Sequence, residues 1–381
     1  PDYSLDNFGP GLNRSEMRNY FNENRESLEL DSLNSEVESR GATYVNEEDI
    51  FAAYIMGSVD INKLHLVAGV RYERTDFSTS GMRVELVENE ETDVEEVVNT
   101  PWEAERDYDH WLPSVNARYT VSDKLQLRAA YTHTISRPKF EDVAAFQIIE
   151  SKTEEDDGVF VTEREAEVGN PDLQPYEAQN VDLSIEYYPG DIGVISAGLF
   201  YKNIDNFVVY ADVADTTGWE GFEEVIQPIN GDSADLTGLE LSWVKAFNNG
   251  FIISANATFT DSEATTFLDG EKFETQLPNQ SDRIGNITIG YEANDFSVRL
   301  ATTYKSDNFE EIDGDMLRFE DDHVQVDFMA RYYINDSMQV YFNGINLGDE
   351  PFYNYFDTRN QNAQYEEYGR TFELGFTWQL N

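Results

Sequence analysis

Cysteine is absent from the 381 residues, which excludes disulfide staples and thiolate metal sites. Histidine is scarce: four residues, none close to another along the chain, do not make a histidine-rich metal site. Basic side chains are outnumbered, 26 against 75 acidic ones, for a formal charge of −49. That balance excludes a nucleic-acid partner, because phosphate contacts need clustered Lys and Arg. No apolar run approaches the length of a membrane-spanning helix. The mean hydropathy of −0.56 would point to a soluble protein, with one exception. In a membrane β-barrel only every second residue meets lipid, so average hydropathy stays low.

Aromatic residues are plentiful instead, with 22 Tyr, 24 Phe and 5 Trp. A disordered acidic chain is usually aromatic-poor, so this one is expected to fold. It opens with Pro1, without Met or a charged-apolar leader, and is expected to be a fragment or a processed product.

Alternation recurs along the chain. Leu64, Leu66, Ala68, Val70 and Tyr72 interleave with His65, Val67, Gly69, Arg71 and Glu73. Leu125, Leu127, Ala129 and Tyr131 interleave with Gln126, Arg128, Ala130 and Thr132, and 181–187 and 296–304 behave alike. A period of two over about ten residues predicts strands with one apolar face. Thirteen strands are expected, near 46–58, 62–77, 108–121, 124–136, 176–188, 192–210, 235–247, 250–263, 283–292, 295–306, 322–334, 337–347 and 369–380.

Their connections alternate strictly between short, turn-like links and long polar segments, six of each. The long segments fall near 78–107, 137–175, 211–234, 264–282, 307–321 and 348–368. A soluble β-sandwich has no reason to gather its long loops at one end, whereas an outer-membrane barrel has short periplasmic turns and long extracellular loops. The fold class is therefore all-β, a transmembrane antiparallel β-barrel. Thirteen strands would start outside and end inside, and a bacterial single-chain barrel needs an even number. At least one further strand is thus expected upstream. Residues 1–45, polar and rich in Asn, Ser and Glu, are expected to be an extracellular loop leading into a barrel portion at 46–381.

With the apolar set facing lipid, the opposite face carries Arg71, Arg118, Arg128, Glu186, Glu240, Arg299, Asp327 and Arg331. Lipid would penalise such charges by a few kcal/mol each, so they are expected to face the lumen. There they would pair across strands or with a plug, or meet ligand. The acidic runs at 88–96 and 154–157 read as solvated surface, with divalent-cation bridging as the alternative. Trp111, Tyr187, Tyr188, Tyr291, Tyr332, Tyr333 and Trp378 fall near strand ends, as interfacial girdles require. Trp102, Trp219, Tyr353, Tyr355 and Phe356 fall in the long segments, where they either stack on a ligand or pack the loops together.

At the C-terminus, Glu373-Leu374-Gly375-Phe376-Thr377-Trp378-Gln379-Leu380 resembles the signal read by the barrel-assembly machinery, with Gly375, Trp378 and Leu380 as its marks. The signal often ends on an aromatic residue, whereas this chain ends Leu380-Asn381. Leu112-Pro113-Ser114, Arg128-Ala129-Ala130-Tyr131 running to Ser136-Arg137-Pro138, and Gly169-Asn170-Pro171-Asp172-Leu173-Gln174-Pro175 occur in that order. Gly238-Leu239-Glu240-Leu241, Asn346-Leu347 and Gly369-Arg370-Thr371-Phe372 follow. Together, over roughly 45–381, these segments resemble the C-terminal barrel portion of TonB-dependent outer-membrane receptors.

The resemblance implies a barrel of about 22 strands in a Gram-negative outer membrane. It also implies an N-terminal plug and TonB box, neither present in this sequence, through which the TonB complex would drive transport. The implied partners are that complex, outer-membrane lipid and lipopolysaccharide, the barrel-assembly machinery, and a small-molecule or oligosaccharide ligand. No cofactor and no metal are implied. Active uptake of a scarce, bulky nutrient is the leading expectation, a carbohydrate oligomer before a ferric siderophore. The Gly169–Pro175 segment resembles a subgroup often linked to carbohydrate uptake. A passive porin without a plug is the alternative. An acidic β-hydrolase is not expected, since no carboxylate pair is singled out by a nucleophile or an oxyanion-type loop.

Overall fold

The computed structural model describes residues 13–28, 30–92, 94–156, 159–190, 192–268, 271–313 and 316–379. Two helices come first, α1 (Arg14–Asn24) and α2 (Ser32–Gly41). Asn13 caps α1, accepting from the backbone N–H of Ser15 and Glu16, and Asp31 caps α2 through Asn34 N–H. The segment expected as a loop therefore contains helices wherever a side chain satisfies the first free amides.

Strands follow: β1 (Val45–Ile61), β2 (Leu64–Asn89), β3 (Val94–Ser122), β4 (Leu125–Ser136), β5 (Gln147–Asp156) and β6 (Val159–Val168). Next come β7 (Tyr176–Gly190), β8 (Gly193–Asp205), β9 (Val208–Asp212), β10 (Glu224–Asn230), β11 (Ser233–Ala246) and β12 (Phe251–Leu268). The remainder are β13 (Glu271–Thr275), β14 (Arg283–Glu292), β15 (Phe296–Lys305), β16 (Asn308–Asp313), β17 (Met316–Glu320), β18 (His323–Asn335), β19 (Met338–Ile345), β20 (Phe352–Phe356), β21 (Asn362–Glu366) and β22 (Thr371–Trp378).

Thirteen of these form one antiparallel meander, each stave paired with the next: β1, β2, β3, β4, β7, β8, β11, β12, β14, β15, β18, β19 and β22. They coincide with the thirteen strands expected from alternation. Among the described residues β1 and β22 do not pair with each other, so the wall is an open arc.

The long segments are not irregular. β2 and β3 run on past the wall as a two-stranded arm to Asn89 and Val94. The arm carries its own alternation, Met82, Val84 and Leu86 against Arg83 and Glu85, and its apolar face is covered by Val37 of α2. Pro101 is tolerated in it because β3 pairs with β4 only from Ser114, which leaves that edge of the arm without a partner strand. Where β1 ends opposite Ser80, β5 takes over the same edge of β2, in parallel from Arg83. β6, β10 and β9 extend this loop sheet. A second sheet, β16–β17–β20–β21, gathers the loops before β18 and β22. β9 and β16 touch where the two sheets meet.

Small cores hold the loop end together. Val37 of α2 packs on Val84 and Leu86, and Phe77 on Val143 and Leu173. The segment after β4 turns back onto β2, where Ala145 N–H donates to Thr79 Oγ1 at 2.9 Å. Gly81 is required there, because a Cβ would collide with the Ala145 carbonyl oxygen. Gly81→Ala should therefore cost about 1–3 kcal/mol. Gly57→Ala, which meets open space, should cost far less. Heat-modifiability on unboiled gels reads both, and equal stability of the two variants would contradict the inward docking.

Candidate functional site

Strand register sorts the wall into two faces. One row of direct partners reads His65, Arg118, Arg128, Ser184, Gly198, Glu240, Thr258. One residue away, the neighbouring row reads Leu64, Tyr119, Leu127, Ile185, Ala197, Leu241, Ala257. Because pleating alternates faces, Arg71, Glu186, Arg299, Asp327 and Arg331 fall on the first face as well. All eight charged residues singled out in the sequence thus share one side of the wall. The opposite side carries Leu183 at 53% exposure and Leu199 at 57%, apolar surface that water would not favour.

On the polar face the charges are linked locally. Arg128 makes two bonds to Glu186, at 2.8 and 3.2 Å, and the Tyr188 hydroxyl donates to the same carboxylate at 2.7 Å. Arg71 donates to Glu73 at 2.6 Å, and Glu73 also accepts from Arg137, which reaches Thr75 Oγ1. Asp327 accepts from Gln325 and from Asn346 N–H. Arg118 stands directly opposite Arg128, a like-charge pairing that strands usually avoid. Glu240, Arg299 and Arg331 are exposed on this face.

The aromatic candidates occupy other positions. Trp102 lies on β3 opposite Gly81, half-buried, and so on a strand where a loop was expected. Trp219 packs edge-on to Phe222 at 5.2 Å, over the small core of Ile149, Ala166 and Val225. Tyr355 is buried at 6% exposure and stacks on Phe319 at 5.5 Å, and its hydroxyl donates to Asp307. Tyr353 donates to the Arg359 carbonyl at 2.7 Å, and Phe356 pairs in register with Arg318. The structure does not bring these five together around one cavity. Gly375 sits beneath the Tyr341 ring and Trp378 is 60% exposed at the end of β22. Leu380 lies outside the described residues.

Sequence reasoning missed a cleft at the seam of the two loop sheets, where Asp142, Tyr210, Glu310 and Glu311 converge. They come from three distant stretches and no spacing pattern joins them. Burial, with the Asp142 carboxylate beside it, pushes the Tyr210 hydroxyl well above the usual phenol range, so it remains a donor.

Open antiparallel staves with one apolar and one charged face, short turns at one end and sheet-forming loops at the other, define a transmembrane β-barrel wall. The model of the "TonB dependent receptor-like, beta-barrel" family matches residues 2–347, and the chain belongs to that family. Members are Gram-negative outer-membrane barrels, which places this chain in the outer membrane. It is similar to the vitamin B12 transporter BtuB of Photobacterium profundum, 24% identical over 208 residues, covering 53% of this chain and 31% of the relative. Among solved structures it resembles the ferric-catecholate import receptor Fiu of E. coli K12 in its closed form, with TM-score 0.63 and 16% identity over 89% of this chain and 45% of that one. It also resembles the hemophore receptor HasR of Serratia marcescens, solved with HasA and heme, with TM-score 0.60 and 14% identity over 87% and 51%. At those identities the likeness is one of fold. The chain spans about a third of that curated relative and about half of those receptors.

Burial is also what raises the Glu310 carboxyl above its ordinary value, against the pull of Arg318. Between the ordinary value and the raised one, the folded sheet holds a proton that the unfolded chain has released. Stability of β16–β17 should therefore fall as pH rises through that window, and Glu310→Gln should flatten the dependence. Hydrogen exchange over 308–320, corrected for intrinsic rates between about pH 4.5 and 7, measures this. An unchanged slope in the variant would contradict it.

Proposed function

We propose that the chain is the C-terminal wall and loop face of a receptor that actively imports a scarce, bulky nutrient across the outer membrane. The observation that carries this reading is the loop end. Five long segments contribute strands to two ordered sheets with a cleft between them, the form of a capture surface. A passive channel needs only an open polar mouth. In this reading residues 1–45 lead into the wall from outside and residues 46–381 build it. The row containing Arg71, Arg118, Arg128, Glu186, Glu240, Arg299, Asp327 and Arg331 lines the lumen and contacts a plug supplied by the rest of the protein. TonB would act on that plug. The apolar face meets lipid, the rim meets lipopolysaccharide, and the end of β22 is read by the barrel-assembly machinery. The protein has no enzymatic role here.

The ligand follows from the field. The carboxylates crowded into the long segments, as at 88–96 and 154–157, disfavour anionic ferric siderophores and leave neutral oligosaccharides as the favoured class. The test uses cells carrying the full-length receptor or lacking it, supplied with limiting neutral oligosaccharides or ferric chelates. Saturable accumulation above the outside concentration, abolished by a protonophore, is expected. Entry that merely equilibrates and ignores the protonophore would make the protein a passive channel.

A further inference from the structure

The cleft between the loop sheets has a volume of about 410 Å³, within the range of small-molecule sites. One wall is β9 with the segment after β4, and the other is β16. Phe207 and Phe309, 1% and 2% exposed, underpin an apolar floor that Leu277 and Pro278 continue. Asn279 fastens the floor to β16, its N–H donating to the Phe309 carbonyl at 2.7 Å.

The polar groups are set around that floor. Asp142 is 5% exposed, and no cation pairs with it among the described residues. Its Oδ1 accepts the Tyr210 hydroxyl at 2.6 Å. A buried carboxylate with one hydrogen bond and no ion pair is under-satisfied and favours further donors. Across the cleft, Glu310 accepts from the Asn354 amide at 2.6 Å and lies 3.2 Å from Arg318, while Glu311 accepts from Arg318 at 2.9 Å. Lys139 supplies the cation of the lining itself.

Counting Arg318, which pairs with Glu310 and Glu311, three carboxylates face two cations, a balance of one negative charge that disfavours an anionic ligand. A simple amine would find Glu310 and Glu311 already engaged by Arg318, and Lys139 opposed to it. Hydroxyl groups both donate and accept, and so suit a rim where carboxylates alternate with Lys139, Thr275 and Asn279. The C–H faces of a sugar ring would lie on the apolar floor. We propose that this cleft captures a neutral saccharide, with Asp142 of the segment after β4 and Tyr210 of β9 on one wall and Glu310 and Glu311 of β16 on the other fixing its hydroxyls. The ligand would thereby bridge the seam. This assignment rests on the uptake reading and names the ligand-contacting groups within it.

The test titrates purified full-length receptor with maltotriose, cellotriose and chitotriose, and in parallel with a ferric tricatecholate and with hexylamine. Binding of at least one trisaccharide is expected, weakened about tenfold or more in Asp142→Asn and in Glu311→Gln while heat-modifiability shows the barrel intact. Saccharide binding unchanged in both variants would overturn the cleft. Binding confined to the tricatecholate or the amine, or to no probe, would overturn the ligand class. Protonophore-sensitive accumulation in cells separates the two levels. If it persists while the cleft result fails, the uptake reading stands alone. If it is absent while the cleft binds sugar, the uptake reading fails alone.

Discussion

In hydrocarbon a backbone amide has no water to bond, so each lipid-facing strand must pair along its length with its neighbours. Everything else in this chain depends on that constraint. It fixes the antiparallel meander, and through the pleat it fixes which residues share a side. One step along β4 separates Leu127, on an apolar row, from Arg128, which is bonded to Glu186 on the charged one. A one-residue slip of register would drive both kinds of residue into the wrong medium, so the alternation and the pairing reinforce each other.

Beyond the belt the constraint lifts and a different logic takes over. Strands there still pair, but they gain stability from small local cores such as Phe207, Val209, Ala234 and Ala264 in place of lipid contact. Parallel pairings become possible because long connections are available, and β5 joins β2 and β10 joins β6 in that way. The result is two ordered sheets meeting at β9 and β16, with a cleft at that seam.

How much of this was legible in the sequence follows from the same division. Each stave announces itself because lipid and water write opposite chemistry on alternate residues, as at Leu64–Glu73. The arm at 78–107 reads as loop because its apolar alternation is short, Met82, Val84 and Leu86 against Arg83 and Glu85, and runs straight into the acidic stretch at 88–96. The loop aromatics were legible as residues but not as roles: only the fold shows that Trp219 covers Ile149 and that Tyr355 is stacked on Phe319. The cleft was invisible because Asp142, Tyr210 and Glu310 are joined solely by the meeting of two sheets.

The central claim is that the row through Arg118, Arg128, Ser184 and Glu240 faces an aqueous interior and the row through Leu127, Ile185 and Leu241 faces lipid. These 381 residues hold no cysteine, so single cysteines introduced here are unambiguous once any elsewhere in the full-length receptor have been replaced. The most direct measurement compares labelling of Ser184→Cys and Thr258→Cys with that of Ile185→Cys and Ala257→Cys in the full-length receptor in membranes. Spin labels at the first pair should be relaxed by a water-soluble chelated metal, and labels at the second pair by oxygen dissolved in the bilayer. Oxygen-dominated relaxation at 184 and 258 would contradict the account.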